Sequence, residues 1–121
     1  TVRIEMPDSG YLMPPGQCVL ASTVETFNMP LDISPQLVLK SSIGRVFLNH
    51  MMAGFGDPGW SNSKMTLELK NELQHNAILI KPNMKIAQIK FYRSKPVPEH
   101  RSYRHRGRYN DTTTVTGSKG V

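Results

Sequence analysis

Apolar and polar positions alternate along much of this chain, in segments of strand length. The alternation is clearest from Met65 to Lys70: Leu67 and Leu69 fall on one face, Thr66, Glu68 and Lys70 on the other. Val2, Ile4 and Met6 alternate with polar neighbours and predict a first strand. Gln17 to Phe27 is rich in β-branched and apolar residues without helical spacing, and Leu37-Val38-Leu39 reads as another strand. Ala77 to Ile80 and Met84 to Tyr92 flank Pro82-Asn83 and predict a hairpin, with Asn83 at a left-handed turn position.

Punctuation divides these segments. Pro14-Pro15-Gly16 marks a turn, and Pro30 and Pro35 leave only short extended pieces near them. Ser41 to Asn49 is ambiguous, with Ser41 or Ser42 placed to cap one short helical turn. Gly54 to Gly59 excludes regular structure, and Pro58-Gly59 sets a type II turn. Many short strands without a long amphipathic helix predict an all-β barrel or sandwich. Beyond Arg93 apolar residues thin out. The chain therefore divides into a core over 1–92 and a mobile arm over 93–121.

At 121 residues, 38% hydrophobic and 20% charged, the chain has the make-up of one ordinary globular domain. Its longest apolar runs are three or four residues, far short of the roughly 20 of a membrane helix. With no basic-then-apolar opening segment, the expected setting is the cytoplasm. Cys18 is the single cysteine, which excludes an intrachain disulfide and a cysteine-rich zinc site. It is expected as a small packing residue. His50, His75, His100 and His105 lack the spacing of a metal cluster and read as surface residues.

Charge changes the picture most. Residues 1–80 carry five Lys/Arg against seven Asp/Glu, net −2, whereas residues 81–121 carry ten against two, net +8. A polyanion, either nucleic acid or the phosphates of a nucleotide, is the partner this favours, beside the plainer reading of a solubilising tail. Three segments carry candidate chemistry. Lys40-Ser41-Ser42-Ile43-Gly44-Arg45 sets two cations around two hydroxyls, a combination suited to phosphate. Ala53 to Trp60 holds a turn that presents Asp57 and Trp60, with the backbone at Gly54 and Gly56 open to a base edge. Glu68 stands on the polar face of its strand, either as an exposed surface carboxylate or as a pocket carboxylate fit for proton transfer.

In order and spacing these segments resemble the deoxycytidine triphosphate deaminase family, within the trimeric dUTPase-like superfamily. The resemblance runs from Tyr11 to Tyr109. It rests on Pro15-Gly16 with Val19 to Pro30, on Lys40 to Arg45, on His50 to Asn62, on Thr66 to Asn71 and on Pro82 to Gln88. Ala53-Gly54-Phe55 before Asp57-Pro58-Gly59 resembles the branch that both deaminates dCTP and cleaves the resulting dUTP. The sequence departs from the family pattern at Lys40 (usually Arg), Phe47 (a small residue), Met52 (Thr), Gly56 (Ile), Asn62 (Gly) and Arg108 (Lys).

The resemblance implies a distorted, jelly-roll-type dUTPase-like β-barrel, a homotrimer with active sites between subunits, and deamination of dCTP to dUTP. It implies Glu68 as the base and acid that activates a water, with Arg45 close to it. Lys40, Ser41 and Ser42 would come from a neighbouring chain to hold the triphosphate. Ala53, Gly54, Phe55 and Asp57 would contact base and sugar beside Trp60, with Gln88 in the last core motif. Tyr103, Arg108 and Tyr109 would fold over the phosphates. Mg²⁺ would arrive on the triphosphate rather than in a protein cage, and a bacterial or phage enzyme is the expected source. The alternatives are a dUTP diphosphatase, a bifunctional enzyme making dUMP, and, more remotely, a non-enzymatic nucleotide or RNA binder suggested by Arg101 to Tyr109.

Overall fold

The computed structural model describes residues 2–120; Thr1 and Val121, the outer ends of the core and arm ranges, lie outside it. Among the described residues seven strands make three small antiparallel sheets. β1 (Tyr11–Met13) pairs with β6 (Ile78–Ile80), and β3 (Ile33–Leu39) pairs with β7 (Ala87–Arg93). β5 (Ser63–Asn71) lies between β2 (Cys18–Phe27) and β4 (Leu48–His50). The helical parts are α1 (Ser41–Gly44), a 3₁₀ turn at Glu99–Arg101, and α2 (Tyr103–Arg106). The fold is all-β, as the patterning predicts.

One core unites the sheets. Met13, Ile78 and Ile80 come from the β1–β6 sheet, Leu37 from β3, and Leu48, Met65, Leu67 and Leu69 from the central sheet. The period-2 pattern explains why β5 supplies so much: every odd position from Ser63 to Asn71 is buried and every even one is half-buried on the other face. Phe27 stacks on Trp60, centroids 5.3 Å apart. Asn71 is fully buried at the end of β5. Its amide nitrogen reaches the carbonyls of Met13, Pro14 and Asn76 at 3.0–3.1 Å, joining the first turn to the loop after β5.

β3 runs straight through Pro35, where the sequence reading had expected a break. The ladder explains this. The Pro35 carbonyl accepts from Gly56 N and Leu37 N donates to the Gly54 carbonyl, so the odd residues of β3 face the 54–56 segment. The missing proline N–H therefore lies on the side away from β7 and interrupts nothing there.

Four local expectations are corrected. The segment holding Val2, Ile4 and Met6 joins no ladder, and Val2 and Ile4 are exposed, because alternation supplies a face but not a partner strand. Residues 77–92 make the turn but not the hairpin. Asn83 does take φ 60°, yet β6 leaves for β1 and β7 for β3. Periodicity fixes which side of a strand is buried, while partner choice is tertiary. Cys18 is exposed on β2 rather than packed. His50 is buried rather than at the surface.

Beyond β7 the chain stays on the barrel. Ser94 N and Val97 N donate to the carbonyls of Asp32 and Leu31. Tyr103 N donates to Pro58 O, Lys64 N to Thr112 O, and Thr116 N to the Thr66 hydroxyl. The tail thus runs along the outer face of β5 beside Lys64 and Thr66. Among the described residues no helix is long and apolar enough to span a membrane.

Candidate active site

A pocket of about 500 Å³ opens between the tail, β5 and the loop after β4. Leu20, Thr66 and Glu68 form one wall, Ala53, Phe55 and Asp57 the second, and Tyr103, Tyr109, Thr116 and Ser118 close it from the tail side. Glu68 and Asp57 are its two carboxylates.

Glu68 enters this pocket because it lies on the polar face of β5, opposite Leu20 in the ladder with β2. Its side chain is 32% exposed, yet Oε2 is buried and stands 3.3 Å from the Nε2 of His50, which is 4% exposed. Neither atom makes an aligned hydrogen bond. Burial holds the His50 pKa below the usual 6.5, against the opposing pull of the Glu68 carboxylate, and so favours the neutral imidazole. The sequence carried a signal for this histidine. It follows Leu48 at the two-residue spacing of an inward face, on a strand with the burial pattern of a core edge.

The hairpin from Ala53 to Trp60 is built as a turn should be. Gly59 takes φ +81° and Trp60 N donates to Asp57 O at 3.1 Å, the closing bond of the expected type II turn. A Cβ on Gly59 would lie 2.9 Å from Cβ of Ser102, so the tail packs where the side chain would be. The expectation that Gly54 and Gly56 open their backbones to a base is corrected: the Gly54 carbonyl and the Gly56 N–H are both bonded to β3. The glycines instead permit close packing, since a Cβ would meet Leu37 at 2.7 Å from Gly54 and Pro35 at 2.8 Å from Gly56. Phe55 forms the bridge opposite Gln36, between those two bonds. In that antiparallel geometry its own N–H and C=O point away from β3. They are the backbone groups left for a ligand.

Trp60 lines the pocket floor but is not presented to solvent; it is 6% exposed and its Nε1 donates to Tyr109 O at 2.8 Å. Tyr103 and Tyr109 line the pocket, whereas Arg108 turns aside and donates to Gly120 O. Burial raises the Tyr103 phenol above its usual pKa, leaving it a neutral donor.

The structure brings Glu68, Ala53, Phe55, Asp57, Trp60, Tyr103 and Tyr109 to one pocket within one chain. Lys40, Ser41, Ser42 and Arg45 do not line it. All four are exposed on and around α1, and the helix is entered through Lys40 without a serine cap. Gly54 is buried where the hairpin meets β3, and Gln88 is exposed on β7 opposite Val38. Among the described residues no three His, Cys, Asp or Glu side chains gather as a metal cage.

A family model described as dCTP deaminase-like matches residues 1–94. A protein of Beutenbergia cavernae named dCTP deaminase, dUMP-forming, is 40% identical over 115 residues, which cover 94% of this chain and 57% of that protein. A protein of the same name from Streptomyces coelicolor is 41% identical over 115 residues, 93% of this chain and 59% of its own length. Another from Pseudarthrobacter chlorophenolicus is 46% identical over 93 residues, 76% and 47% respectively. The chain thus spans 47–59% of the length of these relatives.

Proposed function

Since this chain belongs to the dCTP deaminase-like family, we propose that it deaminates dCTP and forms its site as part of a homotrimer. The observation that carries the reading is the carboxylate of Glu68, half-buried in a pocket whose facing wall offers the free backbone groups of Phe55.

In this reading the cytosine base lies against the Phe55 backbone, with C4 near Glu68. The Glu68 carboxylate takes a proton from water as the hydroxide adds to C4, and gives that proton to N3, which keeps it; the carboxylate then carries the proton of the new C4 hydroxyl to the amino group. Ammonia leaves and the uracil carbonyl forms. General acid–base help of this kind is worth roughly 10²–10⁴-fold, and fixed backbone dipoles add to it. Asp57 takes the sugar, and Tyr103 and Tyr109 lie over the phosphates. Magnesium comes with the triphosphate as part of the substrate, and the attack needs no zinc. The core 1–92 holds the base while the basic arm 93–121 closes over the nucleotide, in the bacterial or phage-infected cytoplasm.

Sequence reading alone placed dUTP as the product. The names of the relatives favour the further step, in which a second water releases pyrophosphate from dUTP and leaves dUMP. Lys40, Ser41, Ser42 and Arg45 reach the pocket in this account from a neighbouring subunit, because their own chain leaves them outside it.

Incubation with dCTP and Mg²⁺, followed by separation of dCTP, dUTP, dUMP and pyrophosphate, tests the reading. Ammonia and pyrophosphate are expected in equal amounts. dUTP accumulating without pyrophosphate reduces the activity to deamination alone. Pyrophosphate from dUTP without ammonia from dCTP overturns the reading in favour of a dUTP diphosphatase. Salt-dependent binding of mixed oligonucleotides without turnover overturns it in favour of a binder.

A further inference from the structure

We infer that His50 is the positioning residue for Glu68: its Nε2 holds carboxylate oxygen Oε2 inside the barrel and leaves Oε1 to act in the pocket. The inference rests on the reading of Glu68 as the proton carrier.

Four observations meet at this pair. β4 ends at His50, and the next backbone bond, Met51 N to Glu68 O at 3.1 Å, fastens the end of β4 to the Glu68 residue itself. The imidazole is therefore anchored to the same peptide unit as the carboxylate it faces. Nε2 and Oε2 stand 3.3 Å apart, and both are buried.

Neither atom has an aligned partner. Buried polar atoms are nearly always satisfied, so two that face each other out of alignment need a reason. Catalytic hydrogen bonds are often long or poorly aligned in the empty site and tighten when substrate is bound. Here the tightening has a route. A Cβ on Gly54 would lie 3.3 Å from His50 Cε1, so the imidazole packs directly behind the hairpin that carries Phe55. A base pressed against that hairpin also presses on the ring that holds Glu68.

The chemistry favours one arrangement. A neutral imidazole carries a single N–H, and with that proton on Nε2 it donates to Oε2. The carboxylate is then a one-oxygen base of fixed orientation. Free rotation would offer the substrate either oxygen, each in place only part of the time.

The test compares His50→Gln with His50→Asn, measuring kcat and KM for dCTP with Mg²⁺, and melting temperature. The glutamine amide nitrogen reaches the place of Nε2; the asparagine amide stops at the place of Nδ1. Both side chains are polar and uncharged. His50→Gln is expected to keep kcat within several-fold of the native protein. His50→Asn is expected to lose about 100-fold in kcat, the scale of a misplaced catalytic group, with KM changed by less than about three-fold and a melting temperature like that of the glutamine variant. Equal kcat in the two variants, whether retained or reduced, overturns the assignment, as does a loss confined to KM. Nitrogen-15 NMR of the native protein tests it without a variant: Nε2 of His50 is expected to carry the proton, and a bare Nε2 facing the carboxylate overturns it. Glu68→Gln assayed alongside separates the two ideas. Turnover in that variant removes Glu68 from the chemistry and this role with it, whereas an inactive Glu68→Gln beside equally active His50 variants overturns the role of His50 alone.

Discussion

The indole Nε1 of Trp60 donates to the carbonyl of Tyr109, 49 residues further along, at 2.8 Å. The same carbonyl accepts from the Ser63 hydroxyl at 2.9 Å. Trp60 also stacks on Phe27, so a single side chain joins the core to the tail that closes the pocket.

Trp60→Phe keeps the stack and removes the donor. Its expected cost is about 1 kcal/mol of stability, the usual net value of one hydrogen bond. KM for dCTP is expected to rise several-fold, because Tyr109 and the segment after it lose an anchor. Melting curves and steady-state kinetics check this, and an unchanged KM would show that the anchor has no bearing on substrate.

Gly59→Ala meets two obstacles at once. The residue sits at φ +81°, and its new Cβ would stand 2.9 Å from Cβ of Ser102. The left-handed conformation alone costs roughly 1–2 kcal/mol for a residue with a side chain, and the contact adds to it. Denaturant unfolding is expected to show a loss at the upper end of that range or beyond. The tail is expected to become more open to protease, since Ser102 must move. A variant as stable as the native protein would mean the turn is not held as described.

How much of this was legible in the sequence differs from residue to residue. The two faces of β5 were readable because Leu67 and Leu69 alternate with Thr66, Glu68 and Lys70, and period is a local property. The turns at Gly59 and Asn83 were readable because few residues accept a positive φ. Partner choice was not readable. Ile78 and Ile80 reveal a buried face, but their pairing with β1 depends on residues more than 60 positions away. For the same reason Phe55 emerged as the open backbone only once Gly54 and Gly56 were found bonded to β3. His50 was missed because its two-residue spacing from Leu48 marks an inward face only if residues 48–50 form a strand, and the stretch from Ser41 to Asn49 reads ambiguously. The carboxylate it faces arrives from the neighbouring strand.

Burial of His50 gives stability a defined dependence on pH. Its folded pKa lies below the unfolded value of 6.5, so the unfolded chain binds its proton first as pH falls. Stability from the neutral imidazole is therefore full above the unfolded pKa and is lost as pH drops from there toward the folded pKa. Glu68, the charged group facing the ring, opposes this without reversing it. Thermal melts from about pH 7.5 to about pH 5 should show the native protein losing ground to His50→Gln, which has no such proton to bind. Parallel curves for the two would contradict the buried neutral imidazole.

Subunit exchange tests the shared site. Arg45 lies outside the pocket of its own chain, on the exposed end of α1. Arg45→Ala and Glu68→Gln are each expected to be inactive. Mixed after partial unfolding and refolding together, they are expected to regain part of the native activity, because some sites then combine an intact Arg45 with an intact Glu68. No recovery, with trimers of mixed composition present, would place both residues in one chain's site.

Glu68→Gln is the most direct measurement of all. The amide keeps the shape of the side chain but cannot take a proton from water. With dCTP and Mg²⁺ the variant is expected to release no ammonia and to form neither dUTP nor dUMP, while nucleotide binding by calorimetry stays within a few-fold of native. Ammonia released from dCTP at a rate near the native one would contradict the account, because the carboxylate at the centre of the pocket would then not be the group that moves the proton.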